Sequence, residues 1–282
     1  MHSVNGLQIL ARTMSRATLK GKRGDWQYHP RSDHHSKVAC WGILFDLLQG
    51  SALLREHIDQ GKIAFGINHE MSDFRSRRKK NLDLVIATPV PGEAKRKVTF
   101  ADLVKKYEIQ LSREEEGILA RFPTVLQRPV GTVRIALEAK ACMTEHMKAR
   151  SRLFDELNSS HDAIHGAADM AIAAGFAMVN VADQFVSPML NRSWKHPEKV
   201  TKHDQPRVSE FVIEKLHEIP RRSSTGAVGF DAFAIVVVDC SNDGTPVRLV
   251  ETPPSPAVGD PVRYESMVAR VVQLYESRFP HQ

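Results

Sequence analysis

Glu138 and Lys140 close an otherwise apolar run, TVRIALEAK, over residues 132–140. In a strand, successive side chains alternate between faces. Val133, Ile135, Leu137 and Ala139 then share one face. Glu138 and Lys140 share the other, about 6–7 Å apart at a rise of ~3.3 Å per residue. Charged groups in an apolar strand need partners, because burying a charge unpaired is expensive. A second apolar run, NLDLVIA over residues 81–87, carries one acid: Leu82, Leu84 and Ile86 fall on one face and Asp83 on the other. Pairing the two strands would set Asp83 beside Glu138. Two neighbouring carboxylates repel and raise a pKa, and a divalent cation relieves that repulsion. Mg²⁺ suits such a site, since it takes one or two carboxylates together with waters and phosphate oxygens. Lys140 could then stabilise developing negative charge or orient an attacking water. The chemistry these residue types allow is metal-assisted phosphodiester hydrolysis.

The elements that must hold these strands are legible from periodicity. Val38, Trp41, Leu44, Phe45 and Leu48 predict a helix from Ser36, interrupted at Gly50, with a further helical stretch through Leu53, Leu54 and Ile58 closed by Gly61. Strands are expected at residues 62–68, 81–87 and 132–139. Thr99 to Asp102 and Ser112 to Glu115 each resemble a helix start with an acidic third residue, so a pair of helices fills residues 100–121. A helix over 144–158, a break at Asn158 to Ser160 and a second helical piece over 160–174 follow. Buried strands are expected at 176–182 and 232–239, then a turn at Asn242 to Thr245, a strand over 247–250 and a closing helix over 266–278. This order reads as α/β, bordering on α+β, with a mixed central sheet flanked by helices. Residues 36–282 form one domain with a helical insertion near 99–122. Residues 1–35 read as a basic arm, acid-free until Asp25, with Arg12, Arg16, Lys20, Lys22 and Arg23.

Asp83 followed by Glu138-Ala139-Lys140 resembles the PD-(D/E)xK nuclease superfamily, the restriction-endonuclease-like fold. An apolar helix upstream and an amphipathic helix directly after the Glu-x-Lys strand match that family's α-β-β-β-α-β core, over about residues 36–182. Leu82 stands where the family often has proline, and the 55 residues from Asp83 to Glu138 exceed the usual hairpin, which the helix pair at 100–121 accounts for. The resemblance implies Asp83 and Glu138 as metal ligands and Lys140 as the residue assisting the attacking water. It implies Mg²⁺, with Mn²⁺ as a substitute, double-stranded DNA as substrate, a homodimer, and a role in restriction or phage defence. Glu70 is a candidate auxiliary ligand, and Asp73 an alternative to Asp83.

Arg75, Arg77, Arg78, Lys79 and Lys80 form a basic cluster running into the Asp83 strand, and Lys148 lies on the following helix; all six could contact phosphates. The same cluster also suits an ordinary solvated loop. His161 and His165, at i and i+4 with Asp169 one turn on, offer a competing metal face. Two alternatives therefore stay open: a His-based metal hydrolase, and a nucleic-acid-binding protein with a degenerate nuclease site.

The chain has 282 residues, 39 Lys and Arg against 33 Asp and Glu, and a formal charge of +6. That mild surplus permits a polyanionic partner without requiring one. No apolar run approaches the roughly 20 residues of a spanning helix, so no membrane role is expected. Cys40, Cys142 and Cys240 are too far apart for a Cys-x-x-Cys site and point to a reducing, cytoplasmic compartment, and the apolar surroundings of Cys40 and Cys142 read as those of buried thiols.

Overall fold

The structure is a computed structural model that describes residues 4–21, 24–73, 77, 79–92, 98–193 and 198–280. In chain order the elements are α1 (Gly6–Met14), β1 (Leu19–Gly21), β2 (Gly24–Trp26), α2 (His34–Gly50), α3 (Ala52–Asp59), β3 (Ala64–Ser72), β4 (Lys79–Pro89), α4 (Asp102–Lys106), α5 (Arg113–Leu119), β5 (Val130–Cys142), α6 (His146–Ala167), β6 (Ile172–Asn180), β7 (Gln184–Val186), β8 (Val200–Lys202), α7 (Arg207–His217), β9 (Ala232–Asp239), β10 (Arg248–Leu249) and α8 (Tyr264–Arg278).

Six strands form a mixed central sheet in the order β10-β9-β6-β5-β4-β3. The β3–β4–β5 meander is antiparallel, β5–β6 and β6–β9 are parallel, and β10 closes the edge antiparallel to β9. The fold is thus α/β, with helices on both faces. Helices α1, α2 and α8 pack with Ile135, Leu137 and Ala139 of β5 in one apolar cluster; α6 and α7 pack with Ala136 and Cys142 in the other. Strand β6 is buried at all nine positions, as expected for a central strand covered on both faces. All three cysteines are buried and free.

Several boundaries differ from the sequence reading for identifiable reasons. Within the expected arm at residues 1–35, the described residues 4–21 and 24–35 do not stand apart: Ile9, Leu10 and Met14 of α1 are in the core against α2. Arg12 is turned onto Glu115 at 2.6 Å and the Gln110 carbonyl, and Lys20 onto Asp25. The expected break at Asn158 to Ser160 is absent, and α6 runs unbroken, because Ser160 Oγ satisfies itself on the Glu156 carbonyl one turn back. Strand β6 begins at Ile172, where a helix was expected to continue. Val133 packs with the α6 cluster and not with Ile135: the pairing steps from Ile86–Ile135 to Ala87–Val133, so Arg134 is an extra residue and reverses the alternation.

Between β4 and β5 lie α4 and α5. Ser112 and Glu115 form a reciprocal capping box at the start of α5. Asp102 accepts from both the amide and the hydroxyl of Thr99 ahead of α4. Among the described residues no single helix is long and apolar enough to cross a membrane. The pair α2 and α3 would pass only together, and it bends by 98°.

Candidate active site

The geometry of the site follows from where the β4–β5 ladder ends. Its last pair toward the site is Leu84–Leu137; beyond it β5 pairs only with β6, and β4 only with β3. Asp83 and Glu138 are the next pair outward, at the point where the strands part. In place of a ladder bond, Asp83 Oδ2 accepts a hydrogen bond from the Ala139 amide at 3.0 Å. Past this point the alternation of β4 is no longer tied to that of β5, and Leu82 packs in the α6 cluster, away from Leu84 and Ile86.

The other carboxylate oxygen of Asp83 faces α2. Oδ1 accepts from Lys37 Nζ at 2.7 Å and from Ser36 Oγ at 3.0 Å. The Lys37 side chain is only 3% exposed; its ammonium also donates to Asn68 Oδ1 and lies 3.7 Å from Asp33. Asn68 sits on β3 opposite Asp83 with φ 51°, a left-handed conformation that asparagine adopts more readily than most residues.

Glu138 is 1% exposed. Lys140 Nζ comes within 2.8 Å of its Oε1, but outside hydrogen-bond geometry, and neither carboxylate oxygen has a hydrogen-bond partner among the described residues. Burial pushes its carboxyl above the ordinary range, Lys140 opposes this, and the charge of Asp83 pushes it up further. For Lys140 burial acts downward, but the adjacent Glu138 outweighs it and keeps the amine above its ordinary value. His35, half-buried beside Tyr28, is pushed down to about 4, chiefly by burial.

The structure therefore brings together Asp83, Glu138 and Lys140, the three residues singled out from their types and spacing. It also adds Lys37, Ser36 and Asn68, which were not. Lys37 was legible in principle: it lies in register with Trp41, Leu44 and Leu48 on a buried stripe of α2, and a cation there demands a buried anion.

Glu70 stands differently from the expectation. It is exposed on β3 and ion-paired with Lys79 at 2.8 Å, so it joins a surface pair and not the buried carboxylates. Asp73, the alternative first ligand, lies against Gly166 near the C-terminal end of α6, some ten residues along that helix from Glu156.

In the basic cluster, Arg75 and Arg78 lie outside the described residues. Arg77 is exposed with φ 57°, Lys79 is held by Glu70, and Lys80 turns inward. Lys80 Nζ donates to the Glu156 carbonyl at 3.1 Å, and its charge works against the rise in the Glu138 pKa. Lys148 is exposed and 3.3 Å from Glu145. With Arg152 it rims a cavity of about 350 Å³ that opens directly beyond Lys140, at Ala141 to Thr144.

The histidine face does not assemble. His165 pairs with Asp231, His161 with Asn158 and Asp162, and Asp169 with Arg222. Asp231 is the hub of a buried network that also takes Arg222 and Arg278. Among the described residues no cluster of three or more His, Cys, Asp and Glu is arranged to hold a metal.

Two carboxylates nevertheless fit a hard divalent ion of the Mg²⁺ kind, which completes its shell with waters and phosphate oxygens. The feature that fits is Glu138: a buried carboxylate with both oxygens lacking hydrogen bonds, beside a second carboxylate. Known proteins offer no shortcut to a function: no protein-family model matches the chain, and neither does any curated protein or solved structure.

Proposed function

We propose that this protein is a metal-dependent nuclease that hydrolyses phosphodiester bonds of DNA at Asp83, Glu138 and Lys140. The observation that carries the reading is the parting of β4 and β5. It sets Asp83 against the Ala139 amide and leaves the buried Glu138 carboxylate without hydrogen bonds, next to the Lys140 ammonium. The element order α2-β3-β4-β5-α6-β6, with an antiparallel meander followed by a parallel strand, supports the resemblance to the PD-(D/E)xK fold.

Asp83 and Glu138 would hold the metal. A bound Mg²⁺, or Mn²⁺ in its place, supplies Lewis-acid polarisation of the phosphodiester and neutralises charge. Ala139 N–H fixes the orientation of Asp83. Lys140, with its amine 2.8 Å from Glu138, would orient the attacking water or stabilise developing negative charge. Lys80 adds a second positive charge near Glu138. Duplex DNA as substrate, a homodimer to cut both strands and a defence role come from the resemblance.

One observation favours a second reading, a nucleic-acid-binding protein without catalysis. Each carboxylate has its own lysine, Asp83 with Lys37 and Glu138 with Lys140, so the site is charge-balanced without metal.

Supercoiled plasmid incubated with wild type or Lys140→Ala, in Mg²⁺ or EDTA, separates the two. Cleavage by wild type in Mg²⁺ alone, lost in the variant, supports the nuclease. Absence of cleavage with a salt-sensitive gel shift supports the binding protein.

A further inference from the structure

Lys37 is the polar residue in the site that the nuclease reading leaves without a task. Its side chain is almost fully buried, on a helix whose residues 36–48 are buried throughout. Its ammonium is aimed at Asp83 Oδ1, and its remaining contacts are Asn68 Oδ1, the Asp83 carbonyl at 3.4 Å and Asp33. Asp83 is thus engaged at both oxygens, Oδ2 by the Ala139 amide and Oδ1 by Lys37 and Ser36, whereas Glu138 has only Oε1 faced by an ammonium, Lys140 Nζ at 2.8 Å, and its Oε2 is without a partner among the described residues. An ammonium and a divalent cation cannot both occupy the same lone pairs of Oδ1.

We infer that Lys37 is an internal counter-ion that competes with the divalent metal for Asp83, so that metal is taken up by exchange for the Lys37 ammonium. The inference rests on the metal-dependent reading of the site. Two features of the fold fit an exchange. Asn68 and Asp33 give the displaced ammonium a polar resting place within its present reach, so it need not enter an apolar environment. The Ala139 amide keeps Asp83 in place while its other oxygen changes partner. Lys37 is then a positioning residue that sets the metal concentration at which the site fills.

The test is calorimetric titration of Mn²⁺ into the wild type, Lys37→Gln, Lys37→Met, Lys37→Arg and Glu138→Gln, with thermal melts with and without Mn²⁺. Hydrogen bonds to charged groups correspond to roughly a 10–100-fold change in an equilibrium constant. Lys37→Gln and Lys37→Met are therefore expected to bind Mn²⁺ at least about tenfold more tightly than wild type. Mn²⁺ should also raise their melting temperatures more than it raises that of wild type. Lys37→Arg, which keeps the charge, should stay close to wild type. Lys37→Gln retains a donor for Asp83 and serves if Lys37→Met does not fold.

Equal or weaker Mn²⁺ binding by Lys37→Gln, with binding by wild type that Glu138→Gln abolishes, overturns the exchange while leaving the metal site standing. Absence of Mn²⁺ binding in every protein overturns both.

Discussion

The Asp83 carboxylate accepts a hydrogen bond from the Ala139 amide at 3.0 Å, across the point where β4 and β5 cease to pair. That bond ties the first acid to the backbone between Glu138 and Lys140. It makes the position of Asp83 a consequence of strand divergence and not of a flexible side chain. Its other oxygen is tied to α2 through Lys37 and Ser36. The site is therefore held by two strands and a helix, the rigid placement that a metal site needs.

Asp83→Ala should be strongly destabilising. It takes the closest anion from the buried Lys37 ammonium, leaving it Asn68 and the more distant Asp33 at 3.7 Å, and strips the Ala139 amide of its acceptor. Breaking one partner of a buried ion pair costs about 3–5 kcal/mol. Denaturant unfolding checks this, and a loss below about 1 kcal/mol would mean that Lys37 finds another anion.

Glu138→Gln should do the opposite. Its carboxylate is buried without hydrogen bonds, so a neutral isostere removes a desolvation penalty, while Lys140 is exposed enough to reach water. A gain on the order of 1 kcal/mol is expected in the same unfolding experiment, together with loss of metal-dependent activity, as when function is held at the expense of stability. A less stable Glu138→Gln would show that the pair with Lys140 is structural.

Asp46 gives a pH signature away from the site. It accepts from the amides of Asn5 and Gly6 and from the Tyr264 hydroxyl, fixing the start of α1. Burial nonetheless raises its carboxyl to about 6. A carboxyl raised on folding binds protons in the native chain that the unfolded chain has already lost. Its contribution to stability is therefore present at low pH and declines as pH rises from about 4 to about 6. Unfolding midpoints across that window should show this decline in wild type and a flatter profile in Asp46→Asn. Identical slopes would place Asp46 outside the titration.

The Asp231 network should matter for stability alone. Burial would raise the Asp231 carboxyl, but His165, Arg278, Arg222 and the Ala173 amide together hold it well below the usual range. Arg222→Ala is expected to cost about 3–5 kcal/mol with no change in Mn²⁺ affinity. A change in affinity would revive the histidine face as part of the chemistry.

Periodicity revealed most of the sheet and α2, because strands buried on both faces and a helix packed all round leave dense apolar runs. Asp83, Glu138 and Lys140 were legible for the same reason: a charge in such a run is conspicuous. What stayed hidden depended on contacts distant in sequence. Lys37 stands out as a cation on a buried stripe, but its partner Asp83 is hidden until α2 is laid against β4, and Asn68 until its left-handed turn aims it at Lys37. Leu7, Leu10, Ala11 and Met14 carry a helical spacing, but the surplus of basic residues around them drew attention to charge. Ser159 and Ser160 resemble a helix break, yet a serine can satisfy its hydroxyl on the preceding turn and leave the helix intact. The bulge at Arg134 has no signal in alternation alone, since it is set by how β5 must pair with β4.

The most direct measurement is the cleavage rate of supercoiled plasmid in Mg²⁺ by wild type, Asp83→Asn and Glu138→Gln. Disturbing only an outer partner of a metal ligand reduces activity or affinity roughly 10–100-fold. The expected result is cleavage by wild type and at least about a hundredfold loss in each variant. Equal rates in all three proteins, or no cleavage by wild type, would contradict a metal site shared by Asp83 and Glu138.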